Sequence, residues 1–306
     1  MTLPILSRAD VVTLVPQASD VGRPARGGQK LVFPCEIDGS RAVLKFMLAR
    51  KLDDDDDDPD VMTWAADEVL ARAKREVGLL EKCDSPHLVK LGSLGFTKQL
   101  YRSQALVYFS EEFIDGGDLK GILEKQGSLD VLSLIRLAEH MCLAVEVLSD
   151  LNVTHRDLKP GNIMLRQQRG EFVLLDMGIA FDPGESPITA PGFVLGTTDY
   201  FSPEQIEFAR TRLLDFRSDF FSLGIVLYEA ATGRHPFRVQ RSMTTNDVFT
   251  SILGLEPPPV SKIISGFPED LDRVIMRLLA KSPHLRYRNC ARLMSAIKEL
   301  QARERR

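Results

Sequence analysis

One short stretch concentrates the residue types that do chemistry: His155-Arg156-Asp157-Leu158-Lys159-Pro160-Gly161-Asn162, with Asp176-Met177-Gly178 shortly after it. Two carboxylates, an amide and a lysine stand at fixed spacing around a loop. Asp157 follows an apolar segment, read as a strand end at Leu151 and Val153, and sits in a turn closed by Pro160-Gly161. A carboxylate there can accept a hydrogen bond from a hydroxyl. Lys159, two residues on, can offset negative charge developing on transferred oxygens. Asn162 offers an uncharged oxygen to a cation. Asp176 ends the apolar strand Phe172 to Leu175 and precedes Gly178. Hard cations such as Mg²⁺ favour such oxygen ligands. The set suits a metal–nucleotide complex and a hydroxyl aligned with its terminal phosphate.

The elements that must position this loop are legible in outline. Leu31-Val32-Phe33 and Cys35-Glu36-Ile37 lead to Asp38-Gly39, a hairpin signal, and the chain returns as Arg41 to Met47. Lys45 lies in that otherwise apolar strand, where a charge is costly without partners. Thr63 can cap a helix running to about Cys83. Its buried face is Val69, Ala73, Val77 and Leu80 at helical spacing, with Glu76 beside it. Asp84-Ser85-Pro86 ends it, and the runs His87–Phe96 and Gln104–Phe109 read as strands. Beyond Asp115-Gly116-Gly117 helical patterns dominate: Leu119–Lys125, Leu129–Leu151, Leu213–Thr232, Thr245–Leu253, Pro268–Leu279 and Ala291–Ala302. The composition therefore changes near residues 112–117. Residues 1–17 show no clear periodicity and read as a loosely packed N-terminal extension. Asp53 to Asp58 repel one another and read as a solvated loop. Pro257-Pro258-Pro259 reads as a stiff spacer.

The whole chain excludes several function classes. A formal net charge of −4 over 306 residues carries no basic field for nucleic acid. No apolar run reaches the ~18–20 residues that span a bilayer, and residues 1–15 lack the basic start of a signal peptide. The four cysteines form no C-x-x-C pair, which argues against a zinc site or disulfide framework and fits reduced cytoplasmic thiols.

His-Arg-Asp-x-Lys-x-x-x-Asn, then an apolar strand, then Asp-x-Gly, resembles the eukaryotic-type serine/threonine protein kinases, including their bacterial members. The resemblance runs from about residue 20 to 302. It implies an α+β bilobal fold: a small N-terminal lobe of antiparallel sheet plus one helix (18–113) and a larger, mainly helical C-terminal lobe (114–302), together a kinase domain over 18–302. It implies transfer of the γ-phosphate of ATP to Ser/Thr hydroxyls of proteins, with Mg²⁺ or Mn²⁺. Protein substrates and a transient homodimer for autophosphorylation follow from the same likeness. The motif roles are the family's. Asp157 matches the catalytic base and Lys159 the lysine of serine/threonine specificity. Asn162 and Asp176 match the metal ligands. Lys45 matches the strand lysine on the α- and β-phosphates, and Glu76 its helix partner. His155 packs behind the loop.

Gly196-Thr197-Thr198-Asp199-Tyr200-Phe201-Ser202-Pro203-Glu204 resembles the end of the family's activation segment. There Thr197 orients the loop, Glu204 pairs with Arg286, and Asp219 braces the catalytic loop. Arg156 implies a switch driven by phosphate on Ser186, Thr189 or Thr198.

The sequence departs from the family at its glycine-rich loop. With Val32 as the pattern's valine, Ala25, Gly27 and Lys30 fall at the three glycine positions, and Gly28 lies beside Gly27. The loop still covers ATP in this reading, with Lys30 adding positive charge. Met177 replaces the usual phenylalanine. Counting back from Gly116 puts Glu111 at the position gating the back pocket, and Glu112 to Ile114 offer backbone groups to adenine. The alternatives are a nucleotide-binding pseudokinase scaffold, which the degenerate glycine loop supports, and a small-molecule kinase.

Overall fold

Two residues set the geometry of the first sheet. Asp38 and Gly39 have φ of 51° and 77°, the paired positive values of a tight hairpin turn that glycine adopts without strain. In the computed structural model, which describes residues 4–27, 30–51, 66–102, 104–177, 198–207, 214–240 and 242–304, this turn joins two long strands in register, Ile37 opposite Ser40. The Asp53–Asp58 run lies outside the described residues.

The chain divides into two compact units; among the described residues one holds 4–84 and 89–113, the other 85–88 and those from Ile114 onward. The first unit contains α1 (Arg8–Leu14), β1 (Ala18–Ser19), β2 (Ala25–Gly27), β3 (Lys30–Ile37), β4 (Ser40–Lys51), α2 (Ala66–Leu80), β5 (Thr97–Tyr101) and β6 (Gln104–Glu112). Its antiparallel sheet has the order β1-β3-β4-β6-β5, with β2 also on β3. Along β3 burial alternates strictly, so Leu31, Phe33, Cys35 and Ile37 face one core, the two-residue period of a pleated strand.

Residues 4–15 do not pack loosely. Ser7 and Asp10 form a reciprocal capping box that starts α1. The helix buries Val11 and Leu14, and Val15 beyond it, in the cluster of Phe33, Leu44, Phe46 and Tyr108. Asp10 also accepts from Tyr101 Oη and Arg102 Nη2, each at 2.7 Å. Its carboxyl is held down at about 2, chiefly by the backbone N–H and hydroxyl of Ser7 and by Tyr101. Val11, Leu14 and Val15 sit at helical spacing behind a cap, a pattern short enough to escape a periodicity reading.

Helix α2 presents the expected face: Val69, Ala73, Val77 and Leu80 are all buried, and so is Glu76. The segment His87–Phe96, expected as a strand, makes only isolated bridges at Leu88 and Leu91. The strand is Thr97–Tyr101, which leads into β6 through Arg102 at φ 50°.

The second unit contains α3 (Leu119–Gln126), α4 (Val131–Asp150), β7 (Ile163–Arg166), β8 (Glu171–Leu174), α5 (Pro203–Ile206), α6 (Phe216–Thr232), α7 (Thr245–Gly254), α8 (Glu269–Leu278) and α9 (Cys290–Glu304). Helix α6 is buried along nearly its whole length from Ser218 to Tyr228. A helix apolar all round belongs in a core. At Gly224 an added Cβ would lie 2.9 Å from Leu278 Cβ, so glycine permits the close approach of α6 and α8. The expected apolar strand end at Leu151 and Val153 is instead the turn after α4, with Asn152 at φ 57°. The α+β expectation holds: a sheet with one long helix, α2, in the first unit and a mainly helical second unit.

Candidate active site

The antiparallel pair β7–β8 explains why residues 14 apart in the chain share one end of a ribbon. Ile163 pairs with Leu174, so Asn162 just precedes β7 and Asp176 lies just past the end of β8. Leu175 N–H donates to Asn162 O at 2.8 Å and locks the two together. Asp176 occupies a bend at φ 48°.

Asp157 lies at the centre of the loop. Lys159 Nζ donates to Asp157 Oδ1 at 2.9 Å and to Oδ2 at 2.8 Å. Asn162 Nδ2 donates to Asp157 O and Oδ2, both at 2.9 Å. The amide nitrogen is thus engaged, and Oδ1 is a neutral hard oxygen of the kind a cation accepts. Pro160–Asn162 forms a single 3-10 turn, and proline suits its first position because no N–H is needed there.

The loop is held from behind by buried groups aimed at its backbone. Asp219 on α6 accepts from His155 N–H and Arg156 N–H, each at 2.8 Å. Arg156 is left-handed, at φ 66°, a conformation costly for any residue that carries a Cβ and fixed here by these bonds. Burial pushes the Asp219 carboxyl up, and the nearby His155, Arg156 and the two N–H donors oppose the shift. His155 is fully buried. Asp157 N–H donates to its Nδ1 at 3.3 Å, so the proton sits on Nε2, which donates to Leu175 O at 3.0 Å. Gln205 Nε2 donates to Arg156 O at 2.9 Å. Met177 is buried, as its apolar replacement role requires.

Around Glu204 the structure shows the expected ion pair. Arg286 Nη1 lies 2.6 Å from Glu204 Oε1 and Nη2 lies 2.9 Å from Oε2, and the same guanidinium donates to the carbonyls of Arg217, Ala280 and Lys281. A fully used guanidinium is the arrangement that makes a buried charge tolerable. A second clamp was not foreseen in the sequence. Arg238 grips both oxygens of Asp199 at 2.8 and 3.0 Å, and Tyr200 Oη donates to Glu229 Oε2 at 2.6 Å. Thr198 is buried there, which is poor access for a modifying enzyme. Ser186, Thr189 and Thr197 lie outside the described residues.

In the first unit Lys45, Glu76, Lys30 and Glu111 form one alternating charge set. Lys45 Nζ is 2.7 Å from Glu111 Oε1 and 3.7 Å from Glu76 Oε1, while Lys30 Nζ is 2.6 Å from Glu76 Oε1. The register explains it. Lys45 pairs with Phe109 and Val43 with Glu111 across β4 and β6, so Lys45 and Glu111 are diagonal neighbours on one face. Lys30 and Val32 lie on β3, opposite Met47 and Lys45. The Lys45–Glu76 pair expected from the sequence is present at salt-bridge distance, but the hydrogen bond goes to Glu111. Opposite charges in two neighbouring apolar strands were the signal for that pairing.

Gly27 ends β2 opposite Lys30, and Gly28 lies outside the described residues. Glu112 N–H donates to Lys90 O at 3.0 Å, and its carboxylate accepts from Lys90 N–H at 3.0 Å. Its backbone donor is therefore engaged within the unit, contrary to the expectation that it is offered to adenine. Ile114 is buried in the second unit.

Comparison with known proteins agrees with this geometry. The protein kinase domain model matches residues 38–298. Serine/threonine-protein kinase PrkC of Bacillus subtilis is 30% identical over 231 residues, covering 76% of this chain and 34% of PrkC. Serine/threonine-protein kinase PknB of Mycobacterium leprae is 33% identical over 227 residues, covering 74% of this chain and 35% of PknB. PknB of Mycobacterium tuberculosis strain H37Rv is 36% identical over 199 residues, covering 63% and 30%. The chain matches about a third of the length of these relatives.

Proposed function

The chain belongs to the protein kinase domain family, and from that premise we propose that it is a serine/threonine protein kinase that transfers the γ-phosphate of ATP to protein hydroxyls. The observation that carries this reading is the Asp157 carboxylate, held on both oxygens by Lys159 and on one by Asn162. A carboxylate beside a cation, on a loop anchored by Asp219, supports a proton-accepting role.

In the proposed reaction the substrate hydroxyl oxygen attacks the γ-phosphorus, a new P–O bond forms, and the bond to the β,γ-bridging oxygen breaks. ADP leaves with that electron pair, and the hydroxyl proton goes to Asp157. Asp157 also orients the hydroxyl, and Lys159 offsets charge on the transferred oxygens, the positioning and electrostatic work this transfer requires. Asn162 Oδ1 and the Asp176 carboxylate fit a divalent cation: both are hard oxygens at one end of the β7–β8 ribbon, and Asn162 Nδ2 is already engaged. They would hold Mg²⁺ or Mn²⁺, which supplies charge neutralisation on the nucleotide phosphates. In the first unit Lys45 serves the α- and β-phosphates, with Gly27, Gly28, Lys30 and Val32 covering the nucleotide. The Glu112–Ile114 stretch meets adenine, with Glu112 limited to its carbonyl.

Protein substrates, and autophosphorylation at Ser186 or Thr189 through a transient homodimer, extend the same reading. All four cysteines are buried free thiols, which supports a reducing, cytoplasmic setting. No helix among the described residues is long and apolar enough to cross a membrane.

The test incubates purified protein with ATP, Mg²⁺ and a generic protein substrate and maps phosphosites by mass spectrometry. Asp157→Asn and Asp176→Asn run alongside, and EDTA is added to one arm. The expected result is phosphoserine and phosphothreonine in the wild type only, lost with EDTA. Equal absence of phosphate in all samples refutes transfer; nucleotide binding without transfer would identify a pseudokinase.

A further inference from the structure

The four charges of the first unit do more than complete a lysine–glutamate pair. Lys45, Glu76 and Glu111 are each less than a tenth exposed. Burying an ion without a partner is strongly unfavourable, so it matters which acid each lysine holds. Lys45 has two acids within reach and bonds one of them: Lys45–Glu111 is 2.7 Å, Lys45–Glu76 is 3.7 Å, and Lys30 holds Glu76 at 2.6 Å. The exchange needs only a small displacement of one ammonium group, because Lys45 is already within salt-bridge reach of both acids.

We propose that Glu111 is a positioning residue that competes with Glu76 for Lys45, with Lys30 as the matching cation, and so sets how readily Lys45 engages the nucleotide phosphates. The proposal rests on the kinase reading above. The reasoning is electrostatic. The Glu111 carboxylate repels a polyanion at close range, and Lys45 must leave a hydrogen bond to it to reach a phosphate. Neutralising Glu111 removes both obstacles, and Lys45 keeps Glu76 within salt-bridge reach. Glu111 lies near the end of β6, its backbone fixed by pairing with Val43, and its side chain is buried, so its carboxylate has little freedom to withdraw.

The experiment measures KM for ATP, kcat on a protein substrate, and equilibrium binding of a non-hydrolysable ATP analogue. Wild type, Glu111→Gln, Glu111→Met, Glu111→Asp and Lys30→Met are compared, with thermal melts to confirm folding. Glu111→Gln and Glu111→Met are expected to lower KM and tighten the analogue roughly five- to tenfold, the size of one charge interaction at a partly screened site, with kcat within about twofold of wild type. Glu111→Asp, which keeps the charge, stays near the wild type. Lys30→Met leaves an excess acid and weakens the analogue. A folded Glu111→Gln protein whose KM and analogue affinity match or fall short of an active wild type overturns the proposal alone. A wild type that neither binds nor transfers takes down the kinase reading and this pairing together.

Discussion

The two units hold their chemistry-bearing residues by opposite means. In the second, the Asp157 loop is anchored through its backbone: Asp219 takes two of its N–H groups, Gln205 donates to a carbonyl, and His155 bridges Asp157 N–H and Leu175 O. Backbone anchors have one solution, so the loop has one geometry. In the first unit Lys45, Glu76, Lys30 and Glu111 hold one another through side-chain charges. Such a set has more than one solution. In the proposed kinase the proton acceptor would therefore be held rigidly, while the lysine proposed for the phosphates stays exchangeable.

That contrast can be broken most forcefully at Arg286. Its guanidinium joins Glu204 to three backbone carbonyls, and Arg286→Ala leaves a buried carboxylate alone. The expected loss is about 3–5 kcal/mol of stability, read by urea or thermal unfolding; a loss below about 1 kcal/mol would show that the second unit does not depend on its buried anchors. In the first unit the large effect should be apolar instead. Leu14→Ala empties space in the α1–sheet core and should cost about 2–4 kcal/mol. Glu111→Gln should change melting far less, and the reverse order would mean that the charge set is the scaffold.

Asp219→Asn sharpens the comparison at the loop itself. One of the two N–H groups loses its acceptor, at a cost of about 1–3 kcal/mol. The transfer rate should fall at least about tenfold, because misplaced catalytic groups lose proximity gains, while binding of a non-hydrolysable ATP analogue stays unchanged. A change confined to analogue binding would place the anchor's influence elsewhere.

The smallest effect near neutrality is a pH dependence of the second unit. Burial lowers His140 to about 3 and His235 to about 4. Each also accepts backbone N–H bonds at Nδ1: Phe172 N–H on His140, Phe237 and Arg238 N–H on His235. Both folded values lie below the unfolded one, so the unfolded chain binds more protons in acid. The stabilisation is complete above about pH 6.5 and is lost as pH falls toward 4 and 3. Between pH 7 and 6 the loss should be about 1 kcal/mol, visible as a melting shift that His140→Gln reduces.

Much of the loop was readable because its chemistry depends on residue type at short spacing. His155 to Asn162 and Asp176 meet through one hairpin, and the apolar runs flanking them show it. The face of α2 was readable for the same reason, being periodic over a long segment. What escaped depends on pairing across the sheet. No spacing relates Lys30 to Glu76 or Lys45 to Glu111; only the registers of β3, β4 and β6 bring them together. His87–Phe96 misled because apolar residues also line an irregular segment that crosses the core. The clamp of Arg238 on Asp199 joins residues far apart in the chain, each unremarkable alone.

Helix α1 carries one more consequence. Only Val15 to Gln17 separate it from β1, so its apolar face meets the sheet at the high local concentration that a short tether imposes. Cut free, the segment from Pro4 to Val15 becomes an ordinary ligand for the cleft it leaves. A protein beginning at β1 should then melt lower and regain its melting point when that peptide is added in trans, in proportion to its concentration.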